Sequence, residues 1–183
     1  PFPERRTSEL RKGRVSLPNT RYFITCVARN FDGSLVSPLA AAAIDDALLS
    51  LATDLELLCA TIMPDHVHVL FTLGSRLPLP KVVAKFKAGT RRRLPALQWQ
   101  ENFFERRLRP EELATTYARY IFLNPYRAGL LPRNARWPHW RLGAGIDFDF
   151  LHQLDADGHP PAEWLHGELA QFALDPSRVG EEG

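Results

Sequence analysis

Apolar and polar positions along the chain switch between two periods. Residues 22–28, YFITCVA, are rich in β-formers and follow the turn-like Pro18-Asn19-Thr20, so they predict a strand. Asn30 to Ser34 is a loop. Ser37-Pro38 then opens a helix, with Ser37 as N-cap and Pro38 at the first helical position. Its apolar residues, Leu39, Ala43, Ala47, Leu48 and Leu51, recur at helical spacing. Residues 55–62 predict a second strand, Met63-Pro64-Asp65 a break, and residues 66–72 a third strand that closes a hairpin. A basic helix follows over 80–93. Residues 103–106, FFER, are a short fourth strand. Pro110 starts another helix, EELATTYARYIFLNP, which Pro125 ends or kinks. Gly129 and Pro132 close this body, and a short helix is expected near 162–173.

The order β-α-β-β-α-β, then α, predicts an α+β protein. The expected fold is a ferredoxin-like sandwich, an antiparallel sheet with helices mainly on one face. Three segments are expected: a basic arm over 1–17, a functional domain over 18–141 and an acidic extension over 142–183. No apolar run approaches the roughly 18 residues of a membrane span, so no membrane partner is expected. The opening PFPERRTSELRKGR has no apolar core of a signal peptide. Cys26 and Cys59 sit in apolar stretches without CxxC spacing and read as buried free thiols, as in a reducing cytoplasm.

Charge changes the picture. The net charge of +2 conceals an asymmetry. Residues 145–183 hold nine acidic residues and one basic residue, Arg178, for −8. Residues 1–144 hold 22 basic and 12 acidic residues, for +10. A basic body points to a polyanion such as nucleic acid. Lys81, Lys85, Lys87, Arg91, Arg92 and Arg93 cluster on or just after one helix. Arg106 and Arg107 follow Phe103 and Phe104, and Arg127 follows the tyrosine-bearing helix. Such residues would hold phosphates while aromatics stack on unpaired bases. A solvated helix face is the competing account of any charge run.

Two small constellations could carry chemistry. His66 and His68 are two apart on a strand, so both imidazoles share one face. That is half of a divalent-metal site, or a strand with two partly exposed histidines. Tyr117, Tyr120 and Asn124 share one helix face by their i, i+3, i+7 spacing. An amide oxygen can ligate a hard cation, and a phenol beside a metal-bound phosphate is a nucleophile. Helical geometry alone does not choose between Tyr117 and Tyr120, and packing against the core would explain either.

Taken in order, Met63-Pro64-Asp65-His66-Val67-His68-Val69-Leu70 and the later Ala118-Arg119-Tyr120-Ile121-Phe122-Leu123-Asn124-Pro125-Tyr126-Arg127-Ala128-Gly129-Leu130 resemble the REP-associated tyrosine transposases. These are single-tyrosine HUH transposases of the insertion-sequence type. The resemblance covers roughly residues 14–141. It implies that His66, His68 and Asn124 hold Mg²⁺ or Mn²⁺ and that Tyr120 is the nucleophile. It implies cleavage of single-stranded DNA beside palindromic repeat hairpins through a 5′-phosphotyrosine, by a cytoplasmic, nucleoid-associated prokaryotic protein. Whether one chain or a homodimer builds the site stays open. Asp65 stands where the family generally has Asn, and Tyr126 where it has a small aliphatic residue. A rolling-circle-type nickase and a non-catalytic hairpin-binding regulator are the alternative readings.

Overall fold

A computed structural model describes residues 16–29 and 33–166. Residues 1–15 of the predicted basic arm, part of the loop after the first strand and most of the expected last helix lie outside them. The elements run β1 (Arg21–Arg29), α1 (Pro38–Leu49), β2 (Leu55–Ile62), β3 (His66–Leu73), α2 (Leu79–Arg93), β4 (Gln98–Trp99), β5 (Phe104–Arg107), α3 (Ala114–Arg127), β6 (Trp140–Leu142), a 3₁₀ turn (Asp149–Gln153) and α4 (Glu163–His166). The strands form one antiparallel sheet in the order β4-β1-β3-β2-β6, and β5 shares the outer edge of β1 with β4. The α+β architecture read from the sequence is the architecture found.

Both faces of the sheet are covered, which is why β1 and β3 read as nearly continuous apolar runs. Tyr22, Ile24 and Cys26 of β1 and Val67, Val69 and Phe71 of β3 face α1 and α2. Phe23 and Leu70 face the other way, toward α3. Among the described residues, α1 and α2 therefore share one face, and the tyrosine helix lies on the opposite face together with the 3₁₀ turn and α4. Small residues bring α1 and α2 together: a Cβ on Gly89 would stand 3.3 Å from the Ala47 Cβ. Cys26 and Cys59 are buried free thiols, and burial raises the pKa of both.

Helix α3 begins at Ala114, four residues later than Pro110 suggests. The reason is Glu112. Its carboxylate accepts the backbone N–H of Arg109 at 2.7 Å and the hydroxyl of Tyr117 at 2.7 Å, and it pairs with Arg106 at 2.6 Å. Residues 109–112 thereby become a turn tied to β5. Pro125 does not end the helix, which continues to Arg127. The close comes at Gly129, whose φ of +67° suits glycine. Leu130 N–H donates to Pro125 O and Gly129 N–H to Tyr126 O, the bond pair of a Schellman cap.

The described part of the acidic segment, residues 142–166, packs against the body. The expected boundary after residue 141 falls inside β6, which pairs with the edge of β2. Beyond it Phe148, Phe150 and Trp164 are buried in the cluster under α3. The Arg119 guanidinium stacks 4.0 Å from the Trp164 ring centroid. A Cβ on Gly143 would collide with the carbonyl oxygen of Leu57, so only glycine lets the chain leave β6 this close to β2. Gly143→Ala is expected to cost about 2 kcal/mol. Thermal unfolding should then show Tm lower by about 4–8 °C, with faster hydrogen exchange in β6.

Candidate functional site

Register builds the first half of the site. Antiparallel pairing places Thr25 of β1 opposite His68 of β3, and His68 opposite Thr61 of β2. His66 and His68 project from the sheet face that carries α3. Their Nε2 atoms are 3.1 Å apart and their ring centroids 4.6 Å. His66 donates from Nδ1 to Asp65 Oδ1 at 2.6 Å. The His68 Nδ1 shares a hydrogen bond of 2.8 Å with Thr25 Oγ1, and both residues are buried. Burial first, and the neighbouring His66 second, push the His68 pKa well below its usual value. The hydrogen bond to His66 is the main influence holding the Asp65 carboxyl low.

Helix α3 supplies the second half. The Asn124 side-chain amide lies 3.0 Å from His68 Nε2. One turn earlier the Tyr120 ring stands edge-on to His68, at 6.1 Å between centroids, and to Phe23 at 6.2 Å. Burial raises the Tyr120 pKa, while Arg127 and a hydrogen bond with Asn124 act the other way. The Arg127 guanidinium lies 5.9 Å from the Tyr120 ring centroid.

The other tyrosines are engaged elsewhere. Tyr117 is buried and donates to Glu112; burial and that bond raise its pKa to about 12. Tyr126 donates to Ala135 O at 2.9 Å, which fastens α3 to the segment leading into β6.

The donor set fits a small divalent cation. Adjacent ligands on octahedral Mg²⁺ or Mn²⁺, each about 2.1 Å from the ion, lie about 3.0 Å apart. The 3.1 Å between the imidazole nitrogens and the 3.0 Å from His68 to the Asn124 amide match that spacing. The two ends of an amide occupy the same outline, so the position next to His68 serves equally for the Asn124 oxygen. Asp155, Asp157 and His159 also stand together, but Asp155 spends its carboxylate on the backbone N–H groups of Asp157 and His159 and on the His159 ring. That cluster is a self-bonded turn.

Residues 46–111 match the family model of IS200-like transposases. The match includes His66 and His68 and stops before α3. A solved REP-associated tyrosine transposase bound to a REP hairpin superposes with a TM-score of 0.61 at 20% identity, covering 81% of this chain and 86% of that one. The chain shares the fold of that REP-associated tyrosine transposase. A candidate transposase of Deinococcus radiodurans R1 gives a TM-score of 0.43 at 23% identity, over 55% of this chain and 87% of that one. No curated protein matches the sequence.

Within this fold the basic residues are divided. Lys81, Arg91 and Arg92 are exposed on α2, across the sheet from the histidines. On the same helix Lys85 pairs with the buried Asp54 at 2.6 Å, Arg93 with Asp46, and Lys87 donates to the carbonyls of Gln100, Glu101 and Asn102. Arg106 is held by Glu112, and Arg107 is exposed on β5. Of the expected phosphate contacts, Arg127 is the one beside Tyr120. Sequence reading took β1 only as scaffold and so missed Thr25. The available signal was strand pairing, since a threonine opposite a histidine on a shared face is within reach of its ring.

Proposed function

We propose that the protein is a metal-dependent, single-strand-specific DNA endonuclease and strand transferase that acts beside palindromic hairpins. The observation that carries this reading is the convergence of His66, His68 and Asn124 at ligand spacing, with Tyr120 against His68. The IS200-like family match over the histidine strand and the likeness to a transposase solved with a hairpin support DNA as the partner.

His66 and His68 would hold Mg²⁺ or Mn²⁺ through Nε2, and Asn124 through its amide oxygen. Bound there, the ion would neutralise charge on the scissile phosphate and make phosphorus more electrophilic. The remaining work falls to the chain. Phe23 and His68 hold the Tyr120 ring at its edges, so the phenol approaches phosphorus from a fixed direction. Arg127 lies over the same ring and can take a phosphate oxygen. Tyr120 Oη forms the new bond to phosphorus, and the bond from phosphorus to the 3′ oxygen breaks. The phenolic proton is balanced on the released 3′-hydroxyl, leaving a 5′-phosphotyrosine whose reversal rejoins ends. Exposed Arg107 would hold a DNA flank by a phosphate contact that weakens as salt rises, whereas Lys81, Arg91 and Arg92 lie across the sheet from the site.

Incubation with single-stranded hairpin oligonucleotides and Mn²⁺, read on a denaturing gel, should give a covalent protein–DNA band that requires the metal. Hairpin binding without such a band, across a panel of flanking sequences, would instead favour a non-catalytic hairpin-binding regulator.

A further inference from the structure

The two histidines have chemically different partners at Nδ1. Asp65 offers His66 a carboxylate at 2.6 Å, and a carboxylate only accepts. His66, when neutral, therefore carries its proton on Nδ1 and presents a bare Nε2. Thr25 offers His68 a hydroxyl at 2.8 Å, and a hydroxyl can donate or accept. The two Nε2 atoms face each other at 3.1 Å. Two bare lone pairs at that distance repel. With both rings neutral, the proton between them belongs to His68 Nε2, and His68 Nδ1 then accepts from the Thr25 hydroxyl. The Asn124 amide, turned over so that its oxygen rather than its nitrogen takes the position 3.0 Å from His68 Nε2, accepts that N–H with the same end a cation would use. When a cation takes both Nε2 atoms, the His68 proton moves from Nε2 to Nδ1, and Thr25 Oγ1 accepts it. No proton is gained or lost by the pair.

We propose that Thr25 is the positioning residue of His68, holding its ring in one orientation through both tautomers, whereas Asp65 fixes His66 in a single one. The cation-bound half rests on His66, His68 and Asn124 being a cation site; the metal-free half does not. Thr25 suits the role because it is buried and lies directly opposite His68 in the register. Partners of this kind around metal-bound histidines are typically worth 10- to 100-fold in metal affinity.

The test uses the ¹⁵N-labelled full chain at pH 8. Long-range ¹H–¹⁵N spectra read histidine tautomers directly. Metal-free protein should show His66 protonated on Nδ1 and His68 on Nε2, and saturating Mg²⁺ should move His68 to Nδ1. Thr25→Val keeps a β-branched residue of the same shape on β1 and removes the hydroxyl. Its Mn²⁺ affinity, read by the EPR signal of free Mn²⁺, should fall about 10- to 100-fold, with hairpin binding in EDTA unchanged. Thr25→Ser should return the affinity to within about threefold of the parent chain. Metal-free His68 found protonated on Nδ1, or Thr25→Val with parental Mn²⁺ affinity, overturns the proposal. A parent chain that binds no Mn²⁺ removes the cation site instead, and the metal-free spectra still decide whether Thr25 donates to His68.

Discussion

Tyr120→Phe is expected to remove the covalent DNA adduct completely while leaving hairpin affinity within about twofold, since only the nucleophilic oxygen is lost. The ring contacts with Phe23, His68 and Arg127 do not need the hydroxyl. The control is unusually informative because two more tyrosines share the helix. Tyr117→Phe breaks a bond to Glu112 and should cost about 1 kcal/mol of stability with adduct formation retained. Tyr126→Phe loses its bond to Ala135 and should likewise retain the adduct. A denaturing gel of the three variants with a labelled hairpin checks all of this at once. An adduct persisting in Tyr120→Phe would transfer the role to another residue.

Removing either imidazole should be nearly as damaging. His66→Ala or His68→Ala leaves a cation with too few fixed ligands, and cleavage should fall by about three orders of magnitude with weaker Mn²⁺ binding. Asn124→Ala should follow the same direction more mildly, because a neutral amide oxygen is the weakest donor of the three. Single-turnover cleavage with a Mn²⁺ titration separates lost affinity from lost rate. Unchanged Mn²⁺ affinity by calorimetry in the His66→Ala, His68→Ala double variant would remove the histidines from the metal site.

Much of this site was legible because its geometry is local. The His66–His68 spacing dictates a shared face, and the Tyr120–Asn124 spacing one helical turn. The choice among tyrosines was not legible from spacing, since Tyr117 and Tyr120 occupy one face. They are separated by Glu112, which reaches Tyr117 only because residues 109–112 turn toward β5. The same carboxylate explains the late start of α3. Pro110 followed by two glutamates looks like a first helical turn, and nothing nearby says that Glu112 will bond Arg106. β6 was missed because three residues beginning at Trp140 are too short for a periodic pattern. The basic run on α2 was legible as charge and silent about place: an outward helix face does not reveal which side of the sheet it covers.

The margins of the sheet carry a further consequence. A long, flat outer strand is a template on which another chain can add its own, the route to fibrous aggregation. Here the edge of β1 is shared by two pieces of two and four residues, and the edge of β2 is covered over part of its length by three. The pieces carry Arg106, Arg107 and Arg141, and Pro138, which has no N–H to offer, precedes the last of them. Among the described residues, none of the three short edge pieces offers an uninterrupted ladder of more than four residues. At the high concentrations needed for spectroscopy, the folded chain should resist strand-by-strand stacking with its own copies.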